Sequence, residues 1–216
     1  MQTGTGRDAP GWAKLMRATA GSPRIPLEGS PAAKRACLDE FRDERGHRRA
    51  VDRPVLARLL GMDPGERPRT ADREVLLWWA VHDPDADPWP LIEGDGPLLG
   101  LDMDLGIEAW TEAEFAALHA LSWIALRRGD AAAMERLLRA AEWHVRETQP
   151  DNGTNHPWAV HVFAHTGERT PDAAMYAEGI LHNCLIGGSG GAAGAFSAVL
   201  LLDAAAWMEA SAAARR

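Results

Sequence analysis

Residues 111–148 read TEAEFAALHALSWIALRRGDAAAMERLLRAAEWHVRET, and this stretch decides the fold. Thr111 and Glu114 have the spacing of a capping box, which predicts a helix that begins there and runs up to the Gly129-Asp130 pair. Glycine is common just beyond a helix end, and aspartate is a preferred N-cap. The pair therefore closes one helix and opens a second, which runs to about Thr148.

The composition extends this helical interpretation to the whole chain. Its 216 residues include 39 Ala and 23 Leu but only 8 Val and 6 Ile. Alanine and leucine are the best helix formers, whereas strands favour β-branched residues. We therefore expect an all-α protein. Its antiparallel helical hairpins would pack as a bundle or as a short α/α solenoid or toroid-like array.

Cap and turn residues predict helices on both sides of the central pair. Upstream, the expected helices cover about Trp12–Ala20, Ser30-Pro31 to about Arg49, Asp52 to Gly61, and Thr70 to about His82. Downstream, they cover Pro157 to about His165, Thr170-Pro171 to about Ile186, and Ala195 to about Ala214.

A long segment rich in Pro, Gly and Asp, around residues 83–104, separates the two groups of helices. We expect an ordered loop there, between an N-terminal helical subregion at 1–82 and a C-terminal helical core at 105–216, within one compact domain. Residues 1–73 carry 15 basic and 10 acidic side chains, whereas the remainder carries 8 and 21. The N-terminal subregion is therefore net basic, and its role stays open.

The C-terminal core contains a hint of internal repetition. Leu118-His119 recurs 63 residues later as Leu181-His182, and the pattern LLxAAxW at 137–143 recurs at 201–207. The stretch of about 30 residues around 118–141 also resembles a single tetratricopeptide-type hairpin, with small residues and a Gly-Asp turn. The signature Tyr and Pro positions of that repeat are missing, so the resemblance implies no function.

The segment from Trp143 to His165 is the best candidate for a functional site. It holds four of the eight histidines and a polar loop between two predicted helices. Its side chains offer hydrogen-bond donors and acceptors to a small polar ligand. The candidate ligand contacts, including one from the following helix, are His144, Asp151, Asn152, Asn155, His156, Trp158, His161 and His182.

These histidines do not predict a metal site. His161 and His165 have i,i+4 spacing, but no glutamate lies between them to act as a local base. Three aspartates at 83, 85 and 87 begin like a calcium loop, which then fails at Pro88 and Gly94. Residues 187–191 match G-x-S-x-G, but no histidine follows Ser189 as a hydrolase would need. The sequence does not indicate which cofactor, if any, the protein binds.

Convergence of the histidines in space is the central question that the sequence poses. His119, His144 and His182 share helix faces with apolar residues, as does His161. If these imidazoles met in the core, they would form a cluster that titrates near neutral pH. A single histidine on an apolar face is more often a hydrogen-bonded core residue.

Three functions are compatible with these patterns. The first is binding of a small polar ligand or a partner segment in a pocket lined by His and Asn. The second is an enzyme of unknown reaction, in which a histidine or a metal at the same pocket acts and Asp151 orients the histidine. The third is a helical-repeat scaffold whose histidines are only core residues.

Charge and cysteine content limit the partners and the location. The basic residues of the N-terminal subregion alternate with acids and form no dense patch, so nucleic acid is not an expected partner. The sequence predicts neither a membrane span nor a signal peptide. Only Cys37 and Cys184 occur, outside any CxxC motif, which favours a reduced, cytoplasmic protein.

Overall fold

A computed structural model describes residues 7–22, 25–42, 51–102, 104–150, 155–186 and 193–215. All regular secondary structure in these ranges is helical, which confirms the predicted all-α class. The helices are α1 (Ala9–Ala20), α2 (Pro31–Glu40), α3 (Arg53–Leu60), α4 (Arg73–His82), α5 (Ile107–Arg128), α6 (Ala131–Glu147), α7 (Val160–Thr166), α8 (Pro171–Ile186) and α9 (Ala195–Ala214).

The turn between α5 and α6 forms as the sequence predicts. Gly129 has a φ of 62°, in the left-handed region that glycine adopts without strain, and its N–H donates to the last carbonyls of α5. The side chain of Asp130 accepts the amide of Ala133, 2.9 Å away, and so caps α6. The rings of Trp110 and Trp143 lie 6.2 Å apart, so the start of α5 lies beside the end of α6.

Helices α4 and α5 run in the same direction. At their C-terminal ends, Arg127 and Arg128 of α5 donate to the carbonyls of Val81 and Ala80. At the other end, Arg73 at the start of α4 donates to the carbonyl of Leu99, which lies just before α5. The chain between α4 and α5 therefore returns along the length of α4, and it contains one short 3-10 turn, at Trp89–Leu91.

The C-terminal helix lies in the core and packs chiefly against α1. Trp12 and Met16 of α1 are buried, as are Trp207 and Met208 of α9. Helix α9 is long and apolar enough, with a mean hydropathy of 1.3, to cross a membrane by length and composition alone. Inside the fold, 61% of that window is buried, as in a core helix.

The predicted capping box at Thr111 is wrong. Helix α5 begins four residues earlier, at Ile107, with Gly106 as its N-cap. Thr111 is buried inside the helix, and its hydroxyl has no hydrogen-bond partner in the described part of the chain. The carboxylate of Glu114 binds backbone amides of the preceding loop, so it is not available to the cap residue.

Four other helix boundaries also differ from those predicted. Helix α1 begins at Ala9, with Asp8 as its N-cap, and not at about Trp12. Helix α4 begins at Arg73, and its N-cap is Asp72, not Thr70.

The other two boundaries belong to α2 and α7. Helix α2 ends at Glu40, because Phe41 adopts extended backbone angles; residues 43–50 of the longer predicted helix lie outside the described residues. Helix α7 begins at Val160, and Pro157 precedes it in a turn. Ala159 has a φ of 52°, and this left-handed residue delays the start of the helix.

Candidate functional site

The structure separates the candidate ligand contacts into two groups. His144, His156, Trp158 and His161 are buried, whereas Asn155 and His182 are exposed. Asp151 and Asn152 lie outside the described residues. The predicted contacts therefore do not form one accessible set within the part of the chain that the structure describes.

Among the described residues, His161 and His119 form the closest pair of imidazoles. Their ring centroids lie 4.4 Å apart, and neither side chain has exposed surface. The single hydroxyl proton of Ser122 is donated to the carbonyl of His119 at 2.7 Å. Ser122 must therefore accept the Nε2–H of His161, also at 2.7 Å, which leaves the His161 Nδ1 as a bare acceptor. That Nδ1 has no partner among the described residues.

His119 is also held in one tautomer by its neighbours. Its Nδ1 accepts the amide of Ala159 at 3.4 Å, so its Nε2–H donates to the carboxylate of Asp203 at 3.1 Å. The same carboxylate accepts the indole N–H of Trp123. It also pairs with Arg58, 3.2 Å away, whose guanidinium lies 4.1 Å above the Trp123 ring. This Asp203 network joins α3, α5 and α9.

The charges of this network follow from burial and pairing. Burial, reinforced by His119 and His165, holds the pKa of His161 well below its usual value. Burial alone would raise the pKa of Asp203, but the hydrogen bond from His119 and the charge of Arg58 outweigh that effect and lower the pKa. His161 is therefore neutral and Asp203 ionised near neutral pH, so His161 does not supply the near-neutral titration expected of an imidazole cluster.

His144 and His182 do not join this pair. His144 lies against the ring of Phe115, at 5.1 Å between centroids, and its Nε2 lies 3.3 Å from the carboxylate of Glu114. His182 is exposed on α8. The four histidines therefore do not converge: His119 and His161 form a close pair, His144 is buried elsewhere, and His182 lies on the surface.

The remaining buried candidates pack against the start of α9. The Nδ1 of His156 lies 2.8 Å from the hydroxyl of Ser197, and its ring lies 5.0 Å from that of Phe196. The indole of Trp158 donates to the buried carboxylate of Glu112 at 3.2 Å. These contacts hold both side chains inside the helical core.

Two buried charged residues fix the loop before α5. Both oxygens of Glu114 accept backbone amides, from Leu98 at 2.8 Å and from Leu99 at 2.5 Å. The guanidinium of Arg136 donates to backbone carbonyls of the same loop, those of Glu93, Gly96 and Pro97, at 2.7–3.0 Å. These charge-assisted hydrogen bonds hold the loop in one conformation, although Nη1 of Arg136 has no partner among the described residues.

The fixed loop leads directly into an exposed apolar segment. Four of the six large apolar side chains exposed in the described residues lie between Trp89 and Ile107. Leu101, Leu105 and Ile107 are 67%, 45% and 52% exposed. The exposed acids Asp102, Asp104 and Glu108 alternate with them, and no basic residue occurs between Leu101 and Glu108. We call residues 101–108, except 103, the acidic apolar segment.

Sequence reasoning missed the charged residues that organise the site. Asp203 is the only acid between Ala195 and Met208, and a single carboxylate in so apolar a helix is usually buried and paired. Arg136 lies three residues after Ala133 and four before Ala140, on the buried side of α6. The composition around Asp203 and the helical spacing of Arg136 are the signals from which their burial could have been predicted.

Within the described ranges, no three His, Cys, Asp or Glu side chains are grouped so that they could hold a metal ion.

No protein-family model matches this chain, and no curated protein or solved structure is significantly similar to it.

Proposed function

We propose that this chain is an interaction protein that binds a basic, apolar segment of a partner protein at the acidic apolar segment. The observation that carries the proposal is the exposure of Leu101, Leu105 and Ile107 within one short stretch. Scattered single apolar residues are normal on a protein surface, whereas grouped ones are typical of interaction sites.

The loop that precedes this segment supports the proposal. Glu114 and Arg136 fix the loop backbone, and the indole of Trp110 donates to the carbonyl of Gly100 at 2.8 Å. The backbone that immediately precedes residue 101 is therefore held in a fixed position. When a rigid scaffold already positions a loop, its residues lose less conformational entropy on binding a partner than the residues of a flexible loop do.

The chemistry of the partner follows from the acids of the segment. Asp102, Asp104 and Glu108 surround the apolar side chains with negative charge, on a chain whose net charge is −8. A partner with Lys or Arg between apolar residues would match both features, and its charge would speed association. An acidic partner segment would be repelled.

The buried histidines favour this proposal over catalysis. His119, His144 and His161 have no exposed surface, so a bound molecule would contact none of them in this conformation. Acid–base catalysis needs a side chain within hydrogen-bond reach of the reacting proton. We therefore assign these histidines to the core, as in the scaffold alternative.

The helix arrangement would suit such a scaffold. We propose that α5 and α6 form a hairpin of such a scaffold. The second copy of the LLxAAxW pattern, at 201–207, lies on α9, which packs chiefly against α1 and not against α8. The acidic apolar segment would lie at the entry to the α5–α6 hairpin.

The affinity of a basic amphipathic peptide tests the proposal. A synthetic peptide of alternating Leu and Lys pairs is titrated into the protein while fluorescence anisotropy is recorded. We expect saturable binding that the double variant Leu101→Ser/Ile107→Ser weakens about tenfold, since each substitution removes an exposed apolar contact.

The matched control is Met175→Ser/Ile186→Ser. It removes two other large exposed apolar side chains, which lie on α8 and are 70% and 69% exposed. This variant should bind the peptide like the unmodified protein. Equal weakening in both double variants, or no binding to the unmodified protein, would reject the acidic apolar segment as the binding surface.

A further inference from the structure

A cavity of about 310 Å³ lies between the C-terminal ends of α4 and α5. Its apolar lining is formed by Ala80, Val81, Pro84 and Ile124, and Arg127 and Arg128 border it. This volume is at the lower end of the range for small-molecule pockets. The cavity thus combines an apolar surface with two adjacent guanidinium groups.

The charge of the two arginines is not neutralised by a carboxylate. Neither Arg127 nor Arg128 forms an ion pair in the described residues. The carboxylate of Asp83, which lies between the lining residues His82 and Pro84, accepts the amide of Asp85 and binds neither guanidinium. Both guanidinium groups therefore have no direct contact with a carboxylate in the described residues.

Both guanidinium groups retain hydrogen-bond donors. Each has five N–H groups. Arg127 donates to Val81 alone, which leaves four, and Arg128 donates to the carbonyls of Ala80, Asp83 and Ala86, which leaves two. These backbone bonds also fix the two side chains against the end of α4. The remaining donors are therefore held in place beside the cavity.

His82 completes the polar rim. Its Nε2 lies 2.9 Å from the carbonyl of Pro54, so this nitrogen carries a proton and donates it. The Nδ1 of the neutral ring is then an acceptor. The lining of this cavity thus includes two cationic donors and one ring whose Nδ1 is an acceptor.

We propose that this cavity binds a small organic carboxylate with an apolar ring or chain. The guanidinium of Arg127 would bind the carboxylate, since its planar fork matches that group. The apolar part would contact Val81, Pro84 and Ile124. The site is separate from the acidic apolar segment, and it does not depend on the proposed partner binding.

Titration with sodium benzoate, followed by NMR of the backbone amides, tests this proposal. We expect saturable shifts at Val81, Ile124 and Arg127. Benzamide has the same ring without the charge and should bind at least tenfold more weakly. Arg127→Gln should weaken benzoate binding about tenfold, whereas Arg127→Lys, which retains the charge but not the fork, should lose less.

Arg146→Gln is the matched control, because it removes the same charge from an exposed position at the far end of α6. It should leave benzoate affinity unchanged. Thermal unfolding of each variant identifies any general loss of structure. Equal affinity for benzamide and benzoate, equal loss in Arg127→Gln and Arg146→Gln, or no shifts at the cavity would each overturn the proposal.

Discussion

At the scale of single residues, two buried groups respond to acid in different pH ranges. His161 is neutral in the fold, and its pKa lies below the value of 6.5 expected in the unfolded chain. As pH falls through 6.5, the unfolded state gains a proton that the folded state does not, so stability decreases. Asp203 has a lowered pKa, so its contribution is lost only as pH falls below about 3.8.

We therefore predict that His161→Gln reduces the acid dependence of stability. Glutamine keeps an N–H donor for Ser122 but removes the titrating ring. In the unmodified protein, His161 should lower the free energy of unfolding by up to about 1.4 kcal/mol per pH unit below pH 6.5. Urea unfolding at several pH values between neutral and acid measures this slope.

His182→Gln provides the control, because His182 is exposed on α8. This variant should keep the full pH dependence of the unmodified protein. If His161→Gln also kept it, the neutral, buried assignment of His161 would be incorrect.

At the scale of the elements, Glu114 connects the loop before α5 to the helix itself. Removal of its carboxylate leaves the amides of Leu98 and Leu99 without acceptors, and each buried, unsatisfied donor costs about 1–3 kcal/mol. Arg136 of α6 would still bind the carbonyls of this loop, so the loss should loosen the loop near Leu98 without separating the helices.

We predict that Glu114→Ala lowers the free energy of unfolding by about 3 kcal/mol and speeds amide exchange at residues 98–99. Glu147→Ala, an exposed acid at the end of α6, should change stability by less than about 0.5 kcal/mol. Urea unfolding and hydrogen exchange measure the two effects. Slow exchange at Leu98 in Glu114→Ala would show that the carboxylate does not hold the loop.

The sequence predicted the elements whose signals are local. The Ser30 cap, the Gly129-Asp130 turn and the bounds of α9 agree with the structure, because each depends on neighbouring residues. The interpretation failed at Glu114, whose partners lie 15 and 16 residues earlier in a loop. It could not bring His119 to Asp203, 84 residues away, because that contact depends on how α5 packs against α9.

At the scale of the whole molecule, Asp203 joins helices that are far apart in sequence. Its carboxylate binds Arg58 of α3 and His119 and Trp123 of α5 from a position on α9. Removal of one partner of a buried ion pair is strongly destabilising, because the other charge remains without compensation. This network should therefore make the packing of these helices cooperative.

We predict that Asp203→Asn lowers the free energy of unfolding by about 3 kcal/mol near neutral pH. The melting temperature should fall by about 6–12 °C for a chain of this size. This loss of stability should be smaller in strong acid, where Asp203 of the unmodified protein itself becomes protonated. Calorimetry at neutral and acid pH measures both changes, and an equal penalty at both would contradict the ionised state of Asp203.

The most direct test of the proposed function is a hydrogen-exchange footprint of the unmodified protein with and without the basic amphipathic peptide. We predict that the peptide slows exchange in and beside the acidic apolar segment, from residue 98 to about residue 110. Exchange around the buried His119 and His161 should not change. Protection centred on those histidines, with none at the acidic apolar segment, would contradict the proposed function.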